Sequence, residues 1–383
     1  MSSLFDYIKW RGDLSFEQSS FNEVDNLILS KLSYLPFDDF ITEDFERHFV
    51  LREVGQKLLD QLNDPEQSEK LVILFEQDPL LLEMMIKSDR FGGLEVFGFR
   101  NRVEPEIQKQ ICVMTIKVME DLHFVSFRGT DNTFVGWKED FNMILQAVVP
   151  SQLDAVRYVD ELLATIEGNI YAGGHSKGGN MAIYSGIFTQ ENFADRVLKI
   201  FSNDAPGFHS SVLASEKYQK NKHKIYSFIP EESIVGMMLE HDASITVIKS
   251  LESMFFQHDP YNWLVEGCAF IPVDEVSRSS RFFDTTFRQI VENLEPEKQR
   301  QSIDALFGVL ESTEVHSLNQ LTEDWFKKTR IMIGTYSQYD KETRKTMTDM
   351  LGMLFNIGRK NLSLLRKNNS EDNSKEIEDH TQE

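Results

Sequence analysis

The spacing of apolar and polar residues predicts helices at both ends of the chain and alternating strands and helices between them. Near the N-terminus, a 3.6-residue period of apolar residues indicates a helix over Asp25–Leu35. Thr42, followed directly by acidic residues, predicts the N-cap of a second helix, which is expected to end at Leu62 before the helix-breaking Asn63-Asp64-Pro65. Residues 1–93 are therefore expected to form a helical region packed on the rest of the protein.

Between residues 94 and 274 the pattern changes to short apolar runs that alternate with helical segments. The expected strands are Leu94–Phe99, Ile111–Val118, His123–Phe127, Asn169–Ala172, Leu198–Ser202, Lys224–Phe228 and Ser244–Lys249. Helices are expected at Phe134–Leu145 and Leu153–Ile166. Apolar strands that alternate with helices are typical of a mostly parallel sheet covered by helices on both faces. We therefore expect an α/β fold for this core segment.

The segment from residue 275 to residue 367 is expected to be a helical addition to the core. Three amphipathic stripes mark it: Phe283, Phe287, Ile290 and Leu294; Ile303, Leu306, Phe307 and Leu310; and Met347, Met350, Leu351 and Leu354. Such stripes serve either as a cap on the core or as a dimer face, so the oligomeric state stays open. Residues 368–383 are acidic and almost free of apolar side chains, and we expect a disordered tail there.

Composition and charge narrow the classes of function. The formal net charge of −22 argues against a sequence-independent nucleic-acid binder and against a polybasic binder of membrane surfaces. Apolar residues make up 41% of the chain, and phenylalanine occurs 29 times, which is enough for a sizeable core. We expect an acidic globular protein that has no nucleic-acid partner.

The cysteines and the N-terminus indicate the compartment. Cys112 and Cys268 both lie in apolar surroundings, and we expect them to be buried, reduced and inert, as in a reducing cytoplasm. The N-terminus lacks the basic-then-apolar pattern of a secretory signal, and no apolar run reaches about eighteen residues. The expected location is the cytoplasm, without an integral membrane segment. Because the chain also lacks zinc-ligand spacing, a Walker A motif and a dinucleotide fingerprint, no metal or cofactor is expected.

The sharpest local signal is Gly174-His-Ser176-Lys-Gly178, which follows an apolar strand and precedes a helical pattern. In a nucleophile elbow, a serine occupies a sharp strand-to-helix turn with an unfavourable backbone conformation. Glycines two residues before and after it are needed because a side chain there would collide with the turn or the neighbouring strand. Ala182 and Gly186 continue a small-residue face that lets the helix lie close to the sheet. An ordinary glycine turn is the alternative, but the strand-to-helix position favours Ser176 as a nucleophile.

A second signal, Phe127-Arg-Gly-Thr130-Asp131, follows an earlier strand. An oxyanion hole takes one backbone N–H from the residue after the nucleophile and another from the loop after an earlier strand. Lys177 and Thr130 occupy these two positions, and the Thr130 hydroxyl would be a third donor. The same residues also fit a turn that caps the 134–145 helix, and the two interpretations are compatible. For the Lys177 side chain, the sequence leaves open a solvated charge or an attraction for an anionic substrate.

These motifs carry a family resemblance. Phe127-Arg-Gly-Thr130 with Trp137 and Asp140 downstream, together with the Ser176 motif, is similar to the class 3 lipases of the α/β-hydrolase superfamily. Further segments resemble a narrower bacterial family of lipase-like domains of unknown function: Tyr7-Ile-Lys-Trp-Arg-Gly-Asp13, Phe21-Asn-Glu-Val-Asp25, Asp204-Ala-Pro-Gly-Phe208, Ile229-Pro-Glu-Glu-Ser-Ile-Val-Gly236 and Gln257-His-Asp-Pro260 with Trp263. The resemblance extends to about residue 275. It implies an α/β-hydrolase fold and a serine nucleophile, and it is not specific for substrate.

A serine nucleophile in this fold needs a histidine base and an orienting acid, in the chain order Ser, Asp or Glu, His. His258 follows the last expected strand in a loop rich in turn residues, and it lies in a segment of the resemblance. His241 is the alternative base, and we expect it at the end of a helix over residues 232–241. The residue that we expect as the acid is Asp204, because it ends the strand after the elbow helix and matches the family pattern. Glu232, which follows the next strand, is the alternative acid.

The function that these residues indicate is that of a serine esterase or lipase-like hydrolase. It would cleave an ester-type bond of a small-molecule ester or lipid-like substrate through a Ser-His-acid triad and an acyl-enzyme. One alternative is a non-catalytic α/β-hydrolase-fold protein that acts as a binding or interaction module, since fold does not imply activity. Another is a serine enzyme that cleaves a thioester or an amide. The sequence leaves the acyl chain length and the identity of the substrate open.

Overall fold

The computed structural model describes residues 2–131, 133–277, 280–281, 304–305, 309, 334–341, 343–345 and 348. The chain forms two compact units, Met1–Arg288 and Gln289–Glu383. In the second unit, the buried Ala305 and Val309 pack with Tyr336 and Tyr339. The three amphipathic stripes and the acidic tail at 368–383 lie outside the described residues, and the expected division of the chain into an N-terminal region, a core and a C-terminal addition stays a prediction.

The described residues form ten α-helices and ten strands. The α-helices are α1 (Leu4–Arg11), α2 (Glu23–Leu32), α3 (Leu51–Asn63), α4 (Pro65–Ser68), α5 (Asp78–Lys87), α6 (Phe134–Leu145), α7 (Pro150–Thr165), α8 (Lys177–Phe188), α9 (Ser210–Leu213) and α10 (Glu216–Asn221). The strands are β1 (Phe49–Val50), β2 (Glu95–Glu104), β3 (Lys109–Met119), β4 (Leu122–Phe127), β5 (Asn169–His175), β6 (Val197–Asn203), β7 (Ile225–Pro230), β8 (Ile245–Ile248), β9 (Val265–Glu266) and β10 (Ala269–Phe270). Each expected strand of the core segment is present, with its ends shifted by up to a few residues.

Strands β1 to β8 form one sheet in sequential order. Strands β1 to β4 pair antiparallel, whereas the pairs from β4 to β8 are all parallel. The parallel connections from β4 to β7 run through helices, because a parallel crossover needs a long return segment. The connection from β7 to β8 contains only a 3₁₀ turn, Val235–Met237. The expected α/β-hydrolase-type fold, a mostly parallel sheet with helices on both faces, is confirmed.

Side chains of the strands alternate between two apolar cores, as the two-residue period of a strand requires. In β4, for example, Phe124 belongs to one core, while Val125 and Phe127 belong to the other. The first core includes Leu27 and Ile28 of α2, which contacts β4 and β5. The second core is completed by α7 and α8. The N-terminal helices therefore cover one face of the sheet, directly behind the strands that carry the candidate site.

The helix expected from Thr42 to Leu62 is wrong in its first part. Residues 42–48 are not helical, and the helix begins at Leu51. The Thr42 carbonyl accepts a hydrogen bond from the N–H of Phe99 in β2, and the Asp44 carboxylate accepts those of Glu46 and Arg47 in a local turn. Backbone groups of this segment thus bond to strand β2 and form a local turn, instead of the hydrogen bonds of a helix. The helix ends at Asn63, one residue beyond the predicted end at Leu62.

The expectation that both cysteines are buried holds for Cys112 and is wrong for Cys268, which is half-buried. Burial raises the pKa of the Cys112 thiol to about 12, so that thiol is unreactive near neutral pH. Among the described helices, none is long and apolar enough to span a bilayer.

Candidate active site

The candidate residues meet at the carboxyl ends of neighbouring parallel strands. Ser176 follows β5, Asp204 follows β6, and the loop with Gly129 and Thr130 follows β4. Strands β4, β5 and β6 are adjacent and parallel, so their ends lie at the same edge of the sheet. This edge is where open α/β sheets place their ligand sites.

Ser176 has the backbone conformation of a nucleophile elbow, with φ 57° and ψ −135°. A non-glycine residue in this region stores about 1–3 kcal/mol of strain. The flanking glycines are required as expected. A Cβ atom at Gly174 would lie 2.3 Å from the carbonyl carbon of Gly178, and one at Gly178 would lie 2.1 Å from the carbonyl oxygen of Phe127. The turn is therefore closed against its own helix and against β4.

His258 and Asp204 form a direct pair. The Nδ1 atom of His258 lies 2.6 Å from Oδ2 of Asp204, which is fully buried. The second oxygen of Asp204 accepts hydrogen bonds from the Ser233 hydroxyl and from the N–H of Gly236, at 3.1 Å for the latter. The carboxylate is thus held from two sides, and it faces the ring nitrogen of His258 that a triad acid would contact.

Other contacts are recorded for the two alternative residues. Glu232 contributes its backbone N–H, which donates to Oε1 of Gln257 at 2.8 Å. His241 follows the bridge between Phe208 and Glu240. The helix expected over residues 232–241 is wrong: the segment contains only a 3₁₀ turn, Val235–Met237, and Leu239 has a φ of 64°. Since the N–H of Gly236 is bonded to Asp204, this segment folds around the acid instead of forming a helix.

The loop after β4, residues 128–131, is called the oxyanion loop below. A Cβ atom at Gly129 would lie 3.1 Å from the Cβ of Ser176, so the loop backbone runs directly beside the serine. The Thr130 hydroxyl donates to Asp140 at 2.5 Å. Within the described residues, neither the N–H of Thr130 nor the N–H of Lys177 donates a hydrogen bond. Both N–H groups are thus available for a ligand at the serine.

The side chain of Lys177 is buried, which corrects both interpretations that the sequence left open. Its Nζ atom donates to Oε2 of Glu139 at 3.0 Å and to Oε1 of Gln110 at 2.8 Å. Glu139 also accepts the N–H groups of Gln110 and Ser151. The lysine is therefore neither solvated nor exposed to a substrate. Through Glu139 it connects the elbow to α6. The next residue of α6, Asp140, accepts the Thr130 hydroxyl of the oxyanion loop.

Burial raises the pKa of Asp140 to about 6, against the opposing effects of the Lys177 charge and the Thr130 hydrogen bond. The carboxylate is the form that accepts the Thr130 hydroxyl without donating a proton of its own. This part of the site therefore titrates just below neutral pH.

The sequence reasoning missed Tyr34 and the side chain of His175. Tyr34 follows α2, and its hydroxyl lies 3.0 Å from Nδ1 of His175. The other ring nitrogen of His175 lies 2.8 Å from the backbone oxygen of His258. Both residues are buried. The motif around Ser176 contains His175 and marks its position, but no local pattern connects it to Tyr34, which lies 141 residues earlier.

Among the described residues, no group of three or more histidine, cysteine, aspartate or glutamate side chains is placed to hold a metal ion. The chemistry that the arrangement supports is that of a serine, a histidine and a buried carboxylate.

The sequence profile of the Mbeg1-like family matches residues 85–308, more than half of the chain. This chain belongs to the Mbeg1-like family. The matched range includes Ser176, Asp204 and His258, whereas Tyr34 precedes it. A search of curated proteins finds no match.

Solved structures with a similar arrangement of strands and helices include three lipases. The Rhizomucor miehei lipase in its propeptide complex is 16% identical, with a TM-score of 0.32 over 44% of this chain and 66% of that chain. M37 lipase is 17% identical, with a TM-score of 0.31 over 41% and 62%. The Lip2 lipase from Yarrowia lipolytica is 12% identical, with a TM-score of 0.29 over 53% and 78%. This chain thus spans just under two thirds of the length of the first two lipases.

Proposed function

We propose that the protein is a serine hydrolase that cleaves an ester-type bond, with Ser176 as the nucleophile, His258 as the general base and Asp204 as the orienting acid. The observation that carries this proposal is the 2.6 Å contact between His258 and the fully buried Asp204, at the sheet edge where Ser176 adopts its strained conformation. An elbow alone occurs as a structural turn, but a structural turn does not need a buried carboxylate facing a histidine.

The reaction begins with attack of Ser176 Oγ on the carbonyl carbon, while its proton passes to Nε2 of His258. Asp204 accepts the Nδ1–H of His258, which leaves Nε2 free to receive that proton and stabilises the imidazolium. Within the described residues, Ser176 Oγ makes no hydrogen bond, and the proposed mechanism requires Nε2 of His258 to lie about 2.6–3.2 Å from it when a substrate is bound.

The negative oxygen of the tetrahedral intermediate would be held by the N–H groups of Thr130 and Lys177. Collapse of the intermediate breaks the bond to the alcohol, which leaves with the proton from His258. Water then attacks the acyl-serine, with His258 again as the base, and releases the acid. Asp140 acts on the oxyanion loop and not on the substrate, since it accepts the Thr130 hydroxyl.

The substrate class is a small-molecule or lipid-like ester, and turnover of acyl esters of increasing chain length, compared with acyl thioesters and amides, would identify the bond that is cleaved. The cytoplasmic location, the absence of a cofactor and the absence of a nucleic-acid partner stay predictions. The N-terminal helices are proposed to be a fixed cover on one face of the core.

A fluorophosphonate probe tests the proposal because it reacts with an activated serine whatever the natural substrate is. Wild type should be labelled at one site. Ser176→Ala should abolish labelling, and His258→Ala should slow it by at least about 10³-fold. Ser185→Ala is the matched control, because Ser185 is a buried serine in the helix after the elbow whose hydroxyl donates to the Ala182 carbonyl.

Labelling that persists in Ser176→Ala would sink the assignment of the nucleophile. A folded wild type that is not labelled at all would instead favour the non-catalytic binding module, and capture of a partner would then be the next experiment.

A further inference from the structure

Two loops lie beside the turn that contains His175 and Ser176, and a pair of buried side chains connects them. The base loop is defined here as residues 257–263, which contain His258. Tyr34 bonds to the oxyanion loop, since its hydroxyl accepts the N–H of Gly129 at 3.1 Å. His175 bonds to the base loop, since its Nε2 lies 2.8 Å from the backbone oxygen of His258. The contact of 3.0 Å between Tyr34 and Nδ1 of His175 joins the two sides.

The direction of each hydrogen bond between Gly129, Tyr34, His175 and His258 follows from the groups involved. The backbone oxygen of His258 only accepts, so Nε2 of His175 carries the proton. Burial lowers the pKa of His175 well below its ordinary value, so the ring is neutral and its Nδ1 accepts from the Tyr34 hydroxyl. The Tyr34 oxygen then accepts from Gly129. The Tyr34 hydroxyl also lies 3.3 Å from the backbone oxygen of His175, a longer contact than the one to Nδ1. One set of proton positions satisfies the three shorter bonds.

The environment holds Tyr34 in one orientation. Its ring packs edge-on against Phe75 at a centroid distance of 5.4 Å, and the ammonium of Lys31 lies 4.0 Å from its ring centroid. The imidazole rings of His175 and His258 are also in contact, at 4.5 Å between centroids. A side chain that is packed on its ring and bonded at its tip transmits a shift of one loop to the other.

We propose that Tyr34 and His175 act as positioning residues that fix the distance between the oxyanion loop and the base loop. This inference rests on the proposed hydrolase function, and it assigns a role in the site to the N-terminal region that precedes the family match. It also assigns a donor: because Tyr34 takes the N–H of Gly129, the N–H that the oxyanion loop offers to a substrate is that of Thr130.

The first test measures the rate constant and the final amplitude of fluorophosphonate labelling separately. Tyr34→Phe should lower the rate constant about tenfold with full amplitude, because the protein stays folded but its two loops lose their fixed spacing. His175→Asn, which keeps a group only at the Nδ1 position, should also be about tenfold slower. His175→Gln, which keeps a donor at the Nε2 position, should recover most of that loss.

Tyr158→Phe is the matched control. Tyr158 is an equally buried tyrosine whose hydroxyl donates to the Gly98 carbonyl at 2.8 Å, away from both loops. It should label at the wild-type rate. A Tyr34→Phe protein that loses amplitude but keeps the wild-type rate constant would show a merely structural role and overturn the proposal.

The second test is hydrogen–deuterium exchange, which does not depend on activity. Of the two loops, Tyr34 bonds to the oxyanion loop and His175 bonds to the base loop. If the two side chains connect the loops, Tyr34→Phe should speed exchange in residues 257–263, and His175→Asn should speed it in residues 128–131. Faster exchange confined to the loop that each side chain touches overturns the proposal. If wild type is not labelled, the proposed hydrolase function fails, and hydrogen–deuterium exchange alone still tests whether Tyr34 and His175 connect the two loops.

Discussion

Ser176 and His258 lie at the same edge of the sheet, but different kinds of interaction hold them there. Ser176 is placed by the backbone: it joins β5 to α8, and glycines on either side close the turn. His258 ends a short 3₁₀ turn, Met254–His258, and is placed by side-chain hydrogen bonds. Asp204 and His175 bond its two sides, and the base loop is closed by a bond from Trp263 Nε1 to the Gln257 carbonyl.

This difference separates stability from activity. The backbone of the serine side is part of the central sheet and helix, so a change there acts on folding itself. The position of His258 depends on a few polar contacts. A change in one of them can move His258 out of line with Ser176 while the sheet stays intact. The variants that follow each perturb one side, and either the labelling rate or the free energy of unfolding is the property expected to change.

The largest effect is expected from Asp204→Asn on the histidine side. Asparagine tolerates the φ of 49° at this position, and its oxygen can still accept from Ser233 and Gly236. Its amide would donate to Nδ1 of His258, so the proton of the neutral histidine would be on Nε2. Nε2 could then not accept the proton of Ser176. The fluorophosphonate labelling rate should fall about 10³–10⁴-fold, with little change in the free energy of unfolding.

Glu232→Gln is the matched control, because it removes the carboxylate of the alternative acid. It should change the rate by less than about fivefold. A large loss in Glu232→Gln together with a small loss in Asp204→Asn would reverse the assignment of the acid.

The serine side is the part that the sequence predicts well, for a physical reason. Its determinants are local: a strand, a glycine turn and a helix follow one another within residues 169–188, and each has its own sequence signal. The sheet was predicted for a similar reason, since runs of apolar residues mark buried strands. Where local signals were misleading, as at Thr42, a distant strand had taken up the backbone group that a helix would have needed.

The histidine side depends on contacts that no local pattern encodes. His258 and Asp204 are 54 residues apart, and Tyr34 and His175 are 141 apart. The sequence proposed His258 and Asp204 from chain order and resemblance, with His241 and Glu232 as alternatives, and geometry was needed to show which pair meets. The buried role of Lys177 was missed because its partner Glu139 lies on another helix, and a lysine beside a serine gives no sign of burial.

A smaller effect is expected from Gly178→Ala, which breaks the serine side through the backbone alone. The added Cβ would lie 2.1 Å from the Phe127 oxygen, so β4 and α8 must move apart. We expect a loss of about 3 kcal/mol in the free energy of unfolding, measured by denaturant titration. Gly93→Ala is the control, because a Cβ there meets nothing within 4 Å, and it should stay within about 1 kcal/mol of wild type. Equal stabilities for the two variants would contradict the close packing of the elbow.

The smallest effect concerns Asp140, which links the oxyanion loop to α6 and tests whether the serine side also depends on charge. Burial raises its pKa to about 6 in the folded protein, above the ordinary value of 3.8. Between these two values the folded state binds more protons than the unfolded chain, so the contribution of this group to stability is full at low pH and is lost as the pH rises through about 6. Because the side chain is one third exposed and solvent weakens its electrostatic interactions, the expected loss in the free energy of unfolding is only about 1 kcal/mol.

Asp140→Asn removes the titration, and the variant should therefore gain stability relative to wild type as the pH rises from 4 to 7. A stability difference that stays constant over this range would contradict the raised pKa of Asp140. A difference that shifts in favour of wild type would show that the carboxylate is stabilised as an anion, and the serine side would then rest on a charged bond to Thr130 as well as on its backbone.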